Sequence, residues 1–140
     1  MSSTGNTSKP TQTLIAFYGS LMRGQGAQEY LGITDMTAFQ ETCEIAGNLY
    51  DLGEYPGIVP GTGIVHGEIF QLLNPVALQK LDDYEDYHPH DEANSPFVRR
   101  WTKLVNPQIE CWVYFYNRDI RGRNLVTSGN WPEYRRERKP

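Results

Sequence analysis

Apolar residues in this chain gather into short runs cut by glycine, proline and polar turns, so strands rather than long helices organise it. Thr13 to Tyr18 is a short apolar run stopped by Gly19, which reads as a buried strand entering a tight turn. A Gly-rich loop follows from Ser20 to Gly26, then a short helix around Gln28 to Leu31. Two strand-like pieces, Ala38 to Cys43 and Ile45 to Tyr50, precede a break at Gly53, Pro56 and Gly57. Ile64 to Leu72 resumes as a strand, with Gly67 marking a bulge or the close approach of another backbone. The clearest helix starts at Asn74, a good N-cap, places Pro75 in its first turn and runs to Tyr84 or Glu85. Phe97 to Val105 and Ile109 to Tyr116 are aromatic and β-branched runs joined by Asn106-Pro107-Gln108, the pattern of a hairpin. Trp112, Tyr114 and Tyr116 then share one face. Residues 1–12 are too polar to join a core and read as a disordered leader, while 132–140, with Arg135, Arg136, Arg138 and Lys139, reads as a solvated basic tail.

Composition narrows this to one compact domain over 13–131, because 140 residues with 39% hydrophobic content fill a single core. Thirteen Gly, nine Pro and a 12% aromatic share favour strand and loop over a helical bundle. A net charge of -4 provides no global basic field for nucleic acid or an anionic membrane, which leaves a small or neutral partner. Cys43 and Cys111 lie far apart in apolar stretches and read as two buried free thiols. The polar, Ser/Thr-rich start lacks the apolar core of a signal peptide, so the expected location is the cytoplasm, and the expected form is a monomer.

Two stretches carry candidate chemistry. Tyr18-Gly19-Ser20-Leu21 sits where a buried strand turns into a loop, and successive backbone N–H groups there can bind a carboxylate or a developing oxyanion. By itself the tetrapeptide also fits any ordinary strand-to-loop junction. In Leu81-Asp82-Asp83-Tyr84-Glu85, the helical wheel puts Leu78, Leu81 and Glu85 in one sector, so the Glu85 carboxyl continues the apolar stripe. A carboxyl in such a place has a raised pKa and suits proton transfer both ways; alternatively the helix frays and Glu85 lies in water. Asp83 faces solvent, and Asp82, nearer the stripe, can cap a loop or support the site. The acidic stretch to Glu92 with His88 and His90 gives no regular metal-ligand spacing, and no metal is expected. Ser20 lacks the flanking glycines of a nucleophile elbow, which argues against a serine hydrolase.

Taken in order, Tyr18-Gly19-Ser20-Leu21, Gly47-Asn48-Leu49-Tyr50, Tyr55-Pro56-Gly57, Val65 to Ile69 with its Gly67-Glu68, Leu81 to Glu85, Phe97-Val98-Arg99 and Ser128-Gly129-Asn130-Trp131 resemble the gamma-glutamylcyclotransferase-like family. The similarity is strongest to its short bacterial-type members and the gamma-glutamylamine cyclotransferases. The resemblance implies an α+β fold, a small mixed β-barrel with flanking helices. It makes Tyr18, Gly19, Ser20 and Leu21 the substrate-binding loop and Glu85 the catalytic acid/base, with Tyr114 or Tyr116 as a further hydroxyl that aromatic packing explains equally well. The implied reaction is cofactor-independent closure of a gamma-glutamyl amine or peptide to 5-oxoproline, an intramolecular amide exchange of transferase or lyase type. Phe97 stands where a Tyr is often found and Asn130 where an Asp is usual. These departures motivate an alternative, a noncatalytic small-ligand binding domain of the same fold. A third reading uses Arg135 to Lys139 to engage acidic partners.

Overall fold

The computed structural model describes residues 13–138; the leader expected over 1–12, together with Lys139 and Pro140, lies outside them. The strands are β1 (Thr13–Phe17), β2 (Thr37–Asp51), β3 (Pro56–Leu72), β4 (Phe97–Lys103), β5 (Glu110–Tyr116) and β6 (Asn124–Leu125). The helices are α1 (Ala27–Leu31), α2 (Pro75–Tyr84) and α3 (Trp131–Arg138), and short 3-10 turns occupy Thr34–Met36 and Glu92–Asn94. The sheet order is β4-β5-β1-β3-β2-β6, all antiparallel except the β1–β5 pair. Glu44 N–H donates to Asn106 O at 2.8 Å and Val105 N–H to Glu44 O at 2.9 Å, drawing the β4–β5 turn across onto β2. This curls the sheet into a mixed half-barrel flanked by helices.

Alternation along β1 divides the interior in two. Ala16 and Tyr18 point into the barrel with Ile45, Val65, Ile69, Cys111 and Val113. Ile15 and Phe17 point to the other face, packed with Leu81 of α2, Phe97 and Tyr114. The expected hairpin forms, and Trp112, Tyr114 and Tyr116 all pack against the second cluster. Cys43 and Cys111 are free and buried; burial in apolar surroundings pushes each thiol up to about 12, a value at which it is unreactive.

Three elements differ from the sequence expectation. The two pieces at 38–50 are one strand, β2, kinked by register shifts between Phe39 and Glu41 and between Ala46 and Asn48. The strand expected from Ile64 begins eight residues earlier at Pro56. Pro56 opens the strand where its missing N–H costs no ladder bond, and Gly57 lies where Leu52 and Tyr116 close over the backbone, so both mark close packing rather than a turn. The C-terminal stretch expected as a solvated tail is helical from Trp131 to Arg138. Asn130 Oδ1 accepts from Glu133 N–H at 3.1 Å as its N-cap, Trp131 is buried, and Tyr134 Oη donates to Asp51 at 2.7 Å.

Candidate active site

A cavity of about 280 Å³ opens where β1 ends. Tyr18, Gly19, Ser20 and Leu21 line it from one element, Glu85 from the end of α2 and Tyr114 from β5. The fold therefore brings Tyr18, Gly19, Ser20, Leu21, Glu85 and Tyr114 to one place, while Tyr116, the alternative hydroxyl, does not line the cavity. Tyr55, Pro56 and Phe97 supply apolar and aromatic wall, and Tyr84 Oη lies 3.0 Å from Ser20 Oγ.

The loop after β1 is gripped through its carbonyls and through Arg23. Gly19 O and Ser20 O accept from the N–H groups of Met22 and Ala27 at 3.0 and 3.1 Å, and Leu21 O accepts from Gln28 Nε2 at 2.7 Å. Thr37 Oγ1 orients that Gln28 amide by donating to its Oε1 at 2.7 Å. Buried Glu68 accepts from Arg23 N–H at 2.8 Å and from Arg23 Nε at 3.1 Å. Gln28, Thr37 and Glu68 are three of the four buried polar side chains in the described residues, and all three hold this loop. Meanwhile the N–H groups of Gly19, Ser20 and Leu21 donate to nothing among the described residues. Three successive donors on cavity-lining residues are thus available to a ligand carboxylate or oxyanion. A Cβ at Gly19 would stand 2.8 Å from Pro56 Cγ and 2.9 Å from Pro56 Cδ. The rigid proline ring cannot yield, so Gly19→Ala is expected to cost about 1–3 kcal/mol through overpacking, measured by denaturant unfolding. Unchanged stability would contradict that packing.

Glu85 is placed by the way α2 ends. The helix starts as expected, with Asn74 Oδ1 accepting from Val76 N–H at 2.9 Å and Pro75 following. Its last turn is closed by a Schellman arrangement: Asp86, in the left-handed region at φ 59°, donates to Asp83 O at 3.1 Å, and Tyr87 N–H donates to Asp82 O at 2.8 Å. Glu85 N–H donates to Leu81 O at 2.9 Å, so the helix has not frayed and the side chain is turned to the cavity. The carboxyl forms no hydrogen bond among the described residues. Desolvation, with a smaller repulsion from Asp82, pushes its pKa up to about 8.

Below the cavity wall lies a charged network. Arg99 donates to both oxygens of Asp82, Nε to Oδ1 at 2.8 Å and Nη2 to Oδ2 at 2.9 Å, with its guanidinium stacked 4.2 Å from the Trp112 ring. Tyr114 Oη donates to the same Asp82 Oδ1 at 2.6 Å. The Tyr114 proton is therefore committed to Asp82, and its oxygen faces a ligand only as an acceptor. Tyr18 has its hydroxyl inside the fold, donating to Tyr114 O at 2.6 Å and accepting from Ile58 N–H at 3.2 Å, so it lends the cavity backbone and ring. Tyr116 packs against Phe97 with centroids 5.3 Å apart and the rings tilted by 56°. Asn130 caps α3 and does not line the cavity, so the Asn-for-Asp departure falls outside it, whereas Phe97 is part of the wall. Glu68, Gln28 and the Asp82–Arg99 pair are the supporting residues that sequence reasoning left without partners. Among the described residues no group of three or more His, Cys, Asp and Glu is arranged to hold a metal, and no helix is long and apolar enough to cross a membrane.

Comparison with known proteins gives this arrangement a family. The gamma-glutamyl cyclotransferase, AIG2-like family model matches residues 15–133. The gamma-glutamylcyclotransferase family protein ytfP of Citrobacter rodentium is 34% identical over 117 residues, covering 84% of this chain and 93% of that protein. The solution NMR structure of protein ytfP from Escherichia coli is 30% identical with a TM-score of 0.65, covering 88% of this chain and 99% of that one. The crystal structure of an aig2-like protein from Mus musculus, at 22% identity and a TM-score of 0.60 over 77% of this chain and 80% of that one, shares the fold. With the matched span running from β1 into α3 and taking in every cavity-lining residue, the chain belongs to the gamma-glutamyl cyclotransferase, AIG2-like family.

Proposed function

We propose that this protein closes a gamma-glutamyl amine to 5-oxoproline and releases the amine, with Glu85 moving the proton. The observation that carries this reading is the Glu85 carboxyl, turned into a cavity with its pKa raised to about 8 and sharing it with three free backbone donors. The substrate holds its own nucleophile. Its α-amine nitrogen attacks the γ-carbonyl carbon, forming the lactam C–N bond, while Glu85 takes a proton from that nitrogen. The N–H groups of Gly19 to Leu21 are suited to hold the glutamyl carboxylate or the oxyanion of the tetrahedral intermediate. Glu85 then returns the proton to the departing nitrogen as the original amide C–N bond breaks. The proton count closes without any outside acid or base.

A base with a pKa near 8 has a kinetic signature. In the free enzyme Glu85 must be ionised to accept the proton, so kcat/KM is expected to rise about tenfold per pH unit on the acid side and level off near pH 8. An acid limb near 4.5 would instead place the titrating carboxyl in water. The reaction itself is tested by incubating the protein with a panel of gamma-glutamyl amines and detecting 5-oxoproline by mass. Product with at least one panel member is expected. Binding of panel members without product would leave a noncatalytic binding domain of the same fold.

A further inference from the structure

Asp82 lies one helical turn before Glu85 on α2, and its carboxylate is fixed from two other elements. Arg99 of β4 grips both oxygens and Tyr114 of β5 donates to one of them. The Asp82 and Arg99 side chains are only 15% and 12% exposed, so this is an interior ion pair rather than a surface one. Tyr114 belongs to the cavity wall, which makes the pair a brace between the wall and the turn that carries Glu85. We propose that Asp82, clamped by Arg99 and Tyr114, is a positioning residue that holds the last turn of α2 against the cavity and keeps its own negative charge one helical turn from the Glu85 carboxyl. This rests on Glu85 being the proton-transfer group proposed above.

The other groups around Glu85 bring no buried negative charge. Burial holds the Tyr114 phenol from β5 above its ordinary range, the Tyr18 hydroxyl is turned inside the fold, and Tyr55 from the β2–β3 turn brings a ring and no carboxylate. Asp86, on the next residue, is exposed and tied to His88 Nε2 at 2.6 Å. Arg99 is bound to both oxygens of Asp82 and offsets part of its charge. Asp82 is therefore the interior negative charge on the Glu85 side, and Arg99 sets how strongly it is felt.

The test is a carboxyl-carbon NMR titration of Glu85 in glutamate-labelled protein, read beside the pH profile of kcat/KM with a panel substrate. In Asp82→Asn the negative charge is gone and Arg99 is unopposed, so the Glu85 midpoint is expected to fall by about one pH unit. In Arg99→Met the charge of Asp82 is unshielded, so the midpoint is expected to rise or hold, and Arg99→Lys is expected to restore the wild-type value. A purely structural role predicts something else: either variant would loosen the turn, admit water and lower the midpoint in both. A fall in both, or no change in Asp82→Asn, overturns the proposal. Should Asp82→Asn fail to fold, Arg99→Met decides alone: a midpoint that rises or holds upholds the proposal, and one that falls overturns it. The titration needs no turnover, so an absence of any 5-oxoproline would sink the proposed reaction while leaving this answer standing.

Discussion

Glu85→Gln is expected to lose turnover and gain alkaline stability in the same molecule. Glutamine keeps the shape of the side chain but cannot accept or return a proton, and loss of a general acid–base group lowers kcat/KM by about 10²–10⁴-fold. The stability effect follows from the same burial. The folded pKa of about 8 stands above the ordinary glutamate value of 4.5. The fold therefore favours the protonated carboxyl: this contribution is fully present below pH 4.5, shrinks as the pH rises through the window from 4.5 to 8, and is gone above it. At about 1.4 kcal/mol per pH unit, the wild type forfeits roughly 4 kcal/mol across that window and the glutamine variant forfeits none of it. Chemical denaturation at pH 5 and pH 9 would read the difference. A variant that is inactive but unfolds with the same pH dependence as wild type would show that Glu85 is not held in an apolar pocket.

Glu68→Gln is expected to raise KM about tenfold or more with a smaller effect on kcat, although residue 68 does not line the cavity. Its carboxylate holds the backbone N–H and the side chain of Arg23 at once, and so fixes the loop whose N–H groups are the proposed ligand donors. Arg23 is half exposed, so the ion pair is worth little by itself; the larger share comes from the bond to a backbone N–H in a buried place. Glutamine can keep one of these bonds, but its amide N–H₂ then meets the guanidinium as donor against donor. Loosening the cradle weakens ground state and transition state alike, which is the pattern of raised KM with kcat retained. An unchanged KM would show that the loop holds its shape without Glu68.

Local signals read well from sequence where the physics is local. Asn74 and Pro75 announced α2 through a cap and a fixed φ, and the 3.6-residue stripe through Leu78 and Leu81 pointed to Glu85. What the stripe left open was the end of the helix, because the left-handed residue that closes it is Asp86 and not the glycine that usually marks such a cap. Alternation along β5 was visible in Trp112, Tyr114 and Tyr116, but β1, buried on both faces, reads only as an apolar run, and Gly57 and Pro56 read as a break where they permit close packing. The supports of the site were hidden for a different reason. Arg23 and Glu68 are 45 residues apart and Asp82 and Arg99 are 17 apart, so each pairing exists only once the half-barrel has curled. Asn130, read as a departure in the site, keeps an N-cap role that Asn and Asp perform equally well.

In the proposed reaction the substrate's own amine, and not water, attacks the γ-carbonyl under the control of Glu85. Turnover of a gamma-glutamyl amine in ¹⁸O-labelled water, with mass analysis of both products, tests this directly. The expected product is 5-oxoproline without label, formed one-to-one with the released amine, by wild type and not by Glu85→Gln. Glutamate carrying one ¹⁸O would instead identify a hydrolase and contradict it.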